Sequence, residues 1–177
     1  MIIHLNGLPG VGKLTIARIL VARLGGQLLD SHSVYNVAFS LTEFRTPEFY
    51  DLVRSVRDVA YSRIAGIPAD IPVILTNALG AGPWADENWT ALLNLAEQRG
   101  SKLYAVAIGC ARDEHLLRVR SPERTYLRKL TDPALLRFDS GEFSMVRADA
   151  VLQIDSSSKS PEECADQIFS WVQGPPD

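Results

Sequence analysis

At 177 residues, 46% of them hydrophobic and 22% charged, the chain suits one globular domain spanning 1–177 and leaves little room for a second. Its formal charge of -3 removes the general electrostatic case for a nucleic-acid binder, which clusters Lys and Arg against phosphates, although a local basic patch stays open. No apolar run approaches the roughly 20 residues that cross a bilayer, so no membrane partner is expected.

Ile2–Asn6 reads as a first strand that enters a glycine-rich loop directly, without a basic leader, and a cytoplasmic location is expected. Lys13–Leu24 follows as a helix, with apolar residues at helical spacing from Leu14 to Leu24, and Gly25-Gly26 ends it. Gln27–Asp30 is a short second strand, and a helical, polar stretch covers 33–46. Pro47 opens a helix to about Ala65, with Phe49, Leu52, Val53, Val56, Ala60 and Ile64 on one face. Ile71–Thr76 is a branched, central third strand.

A loop carrying Gly80, Gly82 and Pro83 leads to a helix over 86–98 that Gly100 closes, and Leu103–Gly109 is the fourth strand. From Arg112 to about Arg137 charge is dense and Pro122 and Pro133 interrupt it, which suggests a helix, an arginine-rich lid over about 118–133 and a short helix. Ala150–Ile154 is the last strand, and Pro161 starts a final amphipathic helix. Cys110 and Cys164 lack metal-ligand spacing and read as buried thiols. Trp84, in the loop, and Trp89 and Trp171, in helices, read as packing residues. Strands alternating with helices give an α/β class: a five-stranded parallel sheet covered on both faces, with ligands outside the carboxyl ends of the strands.

Gly7, Gly12 and Lys13 match GxxxxGK between a strand and a helix, the context that separates a phosphate-binding loop from a glycine turn. Glycines let backbone N–H groups form an anion nest, the helix N-terminus adds positive potential, and Lys13 reaches the terminal phosphates. The residue after the lysine is Leu14 rather than Ser or Thr, and the hydroxyl arrives at Thr15, about 100° further round the helix. Gly7, Pro9, Gly10, Val11, Gly12, Lys13, Leu14 and Thr15 are therefore the candidate nucleotide-binding residues of a three-layer P-loop NTPase fold.

Asp30 ends the second strand beside that loop. A carboxylate there can take a proton from an acceptor hydroxyl or orient a magnesium-bound water, and its plainer role is helix capping. His32 is a weaker substrate candidate, since a lone histidine in a polar turn is often simply exposed. In the arginine-rich run, Arg120 and Arg124 flank Pro122 and are the candidate phosphate clamps, with Arg118 and Arg128 less so; the plainer alternative is a solvated helix. Arg45, Arg54 and Arg57 lie where a substrate-covering element would sit, though each also suits a surface salt bridge. The third strand ends Thr76-Asn77 without an acidic residue, so Thr76 or Asn77 is expected as a polar substrate contact and metal support shifts to Asp30 and Thr15.

The run Gly7 to Thr15 resembles the loop of adenylate kinases and related nucleoside monophosphate kinases. That resemblance implies that Thr15 touches the phosphates while magnesium is held largely by phosphate oxygens and water. The loop, Asp30, the arginine-rich lid and the small size together look like the shikimate kinase, gluconate kinase and chloramphenicol phosphotransferase group. This implies ATP and Mg2+ as cofactors, a small-molecule hydroxyl or phosphate acceptor, and a monomer or homodimer. The Asp-x-Asp pairing after the second strand of that group is Asp30-Ser31-His32 here, which leaves the acceptor unassigned. The competing expectation is a nucleotide-binding regulatory or P-loop ATPase module without small-molecule kinase activity.

Overall fold

The structure, a computed structural model, describes residues 1–120 and 148–174. In chain order it forms β1 (Ile2–Asn6), α1 (Lys13–Leu24), β2 (Gln27–Leu29), α2 (Ser31–Leu41), α3 (Pro47–Ala65), β3 (Val73–Asn77), α4 (Pro83–Arg99), β4 (Leu103–Gly109), α5 (Arg112–Val119), β5 (Ala150–Asp155) and α6 (Pro161–Gln173). The strands form a five-stranded sheet in the order β2-β3-β1-β4-β5, every neighbouring pair parallel. This is the expected α/β class. β1 is buried along its whole length because it is central and covered on both faces, which its apolar sequence suits.

One layer packs α1 and α6 on the sheet through Ile16, Leu20, Cys164 and Ile168 against Ile3, Leu5 and Val106. The opposite face is covered by α4 through Trp89, Leu92 and Leu95 against Ile2, Leu75 and Leu103. A smaller cluster of Val34, Ala38, Phe49 and Val53 joins α2 to α3. Such burial contributes about 1.5 to 3 kcal/mol for each large apolar side chain.

Local chemistry sets the helix ends. Thr46 Oγ1 accepts from Phe49 N ahead of Pro47, and Ser160 with Glu163 completes a capping box on α6. Gly25 ends α1 with φ +69, a left-handed turn that glycine takes without a Cβ penalty.

Several expected boundaries move for physical reasons. β2 stops at Leu29 because Asp30, with extended backbone, is the N-cap of α2. α2 runs over Ser31–Leu41 rather than 33–46, since Thr42 is extended and Arg45 takes φ +68 before Thr46 caps α3. β3 begins at Val73 and not Ile71, whose N–H is used by the Pro68 carbonyl in a turn. α4 begins at Pro83 instead of residue 86, which moves Trp84 from a loop into the first helical turn. Cys164 is buried as expected, but Cys110 is only half-buried.

The β1–β3 and β1–β4 registers align Asn6 with Asn77 and with Ala107, so β1 and β3 finish level at their carboxyl ends while β4 runs two residues further, to Gly109. The loops that follow them meet along one edge of the sheet. At that edge Asn6, 1% exposed, donates from Nδ2 to the Leu79 carbonyl at 2.9 Å and accepts from Leu79 N at 2.8 Å. This pair of hydrogen bonds ties the segment after β3 to the start of the glycine loop.

Candidate nucleotide and acceptor site

The loop after β1 folds as its glycines require. Gly10 and Gly12 take φ +107 and +96, values that place a β-carbon badly and are reached cheaply only by glycine. A β-carbon on Gly7 would lie 2.3 Å from the Ile108 carbonyl oxygen, so this position is set by backbone approach to β4. Gly12 is the N-cap of α1, and Lys13 begins the helix. The Lys13 ammonium bonds the Gly7 and Leu8 carbonyls at 2.7 and 2.9 Å, which holds the cation over the loop it is expected to serve. Thr15 is exposed in the first turn of α1, and Leu14 is half-buried.

Behind the loop stands a brace that sequence reasoning missed. His115 of α5, 1% exposed, lies with Nε2 2.7 Å from the Pro9 carbonyl, so Nε2 carries the proton and donates. Val119 and the His115 ring close around Gly10: a β-carbon there would come within 2.8 Å of Val119 Cγ2 and 3.2 Å of the ring. A histidine one helical turn before a buried valine on an otherwise charged helix is the only sequence signal of this contact.

Arg118 is committed to structure. It bonds Glu114 through Nε at 2.7 Å, and its terminal nitrogens bond the Ser156 hydroxyl and carbonyl at 3.2 and 2.8 Å. Ser156, 2% exposed, lies 2.9 Å from the Gly109 carbonyl and 3.2 Å from that of Val11, so the segment after β5 is fastened to both α5 and the loop. Between them a cleft of about 540 Å³, counting its open mouth, is lined by Val11, Gly12, Ile16, Arg118, Ser156 and Lys159. Arg120 is exposed at the end of α5, while Arg124, Arg128 and most of the expected lid lie outside the described residues.

On the other side of the loop, Asp30 does not cap α2 with its side chain. Its Oδ1 instead accepts a 2.6 Å hydrogen bond from Thr76 Oγ1, whose oxygen accepts from Ser31 N at 3.1 Å. A buried hydroxyl at the end of β3 thus fixes the carboxylate after β2, leaving Oδ2 for other work. His32 is half-buried in the first turn of α2. Next to this pair opens a narrow pocket between α2, α3, α4 and β3, with about 20 Å³ of space inside and about 330 Å³ when its open mouth is counted. Asn77 lines it, and its amide nitrogen lies 3.1 Å from Nε2 of the wholly buried His4. Burial first, and the Lys13 charge second, push the His4 pKa down to about 3.

Two of the three candidate arginines reach this region. Arg57 lines the pocket and is buried, held by Asp58, Glu87 and Asn88. Arg54 lies outside it over the Trp84 ring and grips Glu87 through Nε, with Asp51 on its other side. Glu87 is held below the usual carboxylate range, by the Arg54 hydrogen bond above all. Arg45 stands apart, exposed and stacked on Phe44 at the α2–α3 turn.

Among the described residues no three His, Cys, Asp or Glu side chains converge as a metal cage. In nucleotide sites one or two carboxylates assist phosphate oxygens and water in holding Mg2+. Asp30 after β2 and the exposed Thr15 hydroxyl on α1 are the carboxylate and hydroxyl that would take that part here.

Compared with known proteins, the sequence matches no protein-family model and no curated protein. Solved structures do match over nearly the whole chain. Shikimate kinase from Aquifex aeolicus aligns with a TM-score of 0.61 at 20% identity, covering 98% of this chain and 97% of its own. Mycobacterium tuberculosis APS kinase, in complex with AMPPNP and APS, aligns at 0.62 and 16% identity, covering 98% and 97%. A protein of Chloroflexus aurantiacus J-10-fl, named a candidate kinase, aligns at 0.72 and 17%, covering 97% and 95%. The architecture is therefore that of a P-loop protein. More narrowly, the chain has the fold of the P-loop small-molecule kinases.

Proposed function

We propose that this chain is an ATP-dependent small-molecule kinase. The observation that carries the reading is a carboxylate after β2, Asp30, held by Thr76 of the neighbouring β3, itself a lining residue of the second pocket, at the sheet edge from which the glycine loop leaves β1. Nucleotide phosphates occupy the loop, with Gly7 to Thr15 supplying N–H donors, the Lys13 ammonium and the Thr15 hydroxyl. The nucleoside extends into the cleft beside Arg118 and Ser156. The acceptor occupies the pocket by Asn77. Asp30 and Thr15 would support Mg2+ bound with the nucleotide, and the ion would supply neutralisation of phosphate charge.

The acceptor oxygen attacks the γ-phosphorus in line, the bond from that phosphorus to the β-bridging oxygen breaks, and ADP leaves. The acceptor proton passes to Oδ2 of Asp30 and on to water. Lys13, with Arg120 and Arg124 as lid residues, stabilises the charge that moves to the leaving oxygen. One feature favours the regulatory alternative: β3 ends at Thr76-Asn77 with no acidic residue of its own. Incubating the protein with MgATP and a panel of nucleotides, sugars, antibiotics and shikimate-like acids separates the two readings. Acceptor-stimulated ADP release supports the kinase. Nucleotide binding without phosphorylation of any acceptor refutes it.

A further inference from the structure

The acceptor pocket has an unusual electrical balance for a site that receives a phosphoryl group. Its walls are aliphatic and phenolic: Leu29, Val34, Val53 and Leu75 with Tyr35 and Tyr61. Burial raises both phenols, Tyr61 to about 12, so they meet a ligand as neutral O–H groups. Tyr35 already accepts from Trp84 Nε1 at 3.0 Å, which leaves its own proton to donate.

Among the described residues Arg57 is the one cation lining the pocket. Its guanidinium is spent: Nε and one terminal nitrogen contact Asp58 at 3.0 Å, and the other reaches Glu87 and Asn88 at 3.2 Å. Arg54, the next cation, is likewise held by Glu87 and Asp51. Two guanidiniums thus face three carboxylates, and Asp30 adds another at the rim. Among the described residues that line the pocket, a carboxylate or phosphate on the acceptor would meet no unpaired cation, a cost that hydroxyls and ring faces avoid.

Resting on the kinase reading, we propose that the pocket selects an uncharged acceptor, a small hydroxyl compound with an apolar or aromatic face, and rejects carboxylated and phosphorylated ones. Tyr35, Tyr61 and Asn77 orient its hydroxyls, the aliphatic wall takes its ring, and Glu87 enforces the selection by holding both arginines.

The test uses the full chain with MgATP and matched pairs: uridine against its monophosphate, glucose against gluconate, and benzenedimethanol against hydroxymethylbenzoate. Transfer is followed by ADP release and binding by calorimetry. For each pair used, the neutral member exceeds its charged partner in kcat/KM by about tenfold or more. Glu87→Gln, which loosens Arg54 and Arg57, narrows that ratio by improving the charged member. Equal or better use of the charged members by the wild-type protein overturns the selection and leaves the kinase reading standing. Failure of every member to bind or to accept phosphate, with MgATP bound, overturns both.

Discussion

Lowering pH from 7 to 5 should remove about 2 kcal/mol of stability through one residue, His4. Its ordinary pKa of 6.5 falls to about 3 in the folded chain, chiefly because it is wholly buried between Asn77 and Trp89, and secondarily because Lys13 is near. The folded pKa is the lower one, so between these values the unfolded chain binds the extra proton. Stability is complete above pH 6.5 and declines as pH falls towards 3. With 1.36 kcal/mol per unit, the difference between pH 7 and 5 is about 2 kcal/mol, and by pH 4 about 3 kcal/mol. Urea unfolding at fixed ionic strength reads this as a midpoint shift of about 1 M between pH 7 and 5, for a slope near 2 kcal/mol/M. His4→Gln, which keeps a polar partner for Asn77 but does not titrate, should flatten that dependence. Equal pH slopes in wild type and variant would refute the reasoning.

Three further outcomes follow from the geometry. Gly10→Ala combines a left-handed φ with a β-carbon 2.8 Å from Val119; it should cost about 1 to 3 kcal/mol and weaken MgATP binding, as read by thermal melting and nucleotide titration. His115→Phe keeps the ring volume but strands the Pro9 carbonyl, so MgATP affinity should fall roughly tenfold; an unchanged Kd would make the brace irrelevant to the loop. Thr76→Val frees Asp30 and leaves Ser31 N without its partner. It should lower kcat more than it raises the Kd for MgATP, and cost about 1 to 3 kcal/mol in urea unfolding.

The fold was legible because strand and helix periodicities differ and because the glycine loop sits between one strand and one helix. Boundaries failed where a helix began earlier than periodicity suggested: at Ser31, directly after the extended Asp30, and at Pro83, which starts α4. In the candidate site, the loop residues are readable since their chemistry is local in sequence. The partner of Asp30 is Thr76, forty-six positions away, and the loop's brace is His115, one hundred and six positions from Pro9. Such pairings depend on strand order, which periodicity does not give. Arg57 shows the same limit: its position on α3 suggested a substrate contact or a surface ion pair, and only tertiary packing shows it buried against Glu87 while lining the pocket by Asn77.

The central claim is tested most directly by single-turnover transfer from MgATP to an accepted hydroxyl compound in wild type, Lys13→Ala and Asp30→Asn. The account predicts transfer by the wild type and loss of triphosphate binding or transfer in Lys13→Ala. In Asp30→Asn, MgATP binding should be near normal and the chemical step about a hundredfold to ten-thousandfold slower. Wild-type binding of MgATP with no phosphorylated product, or an undiminished transfer rate in Asp30→Asn, would contradict it.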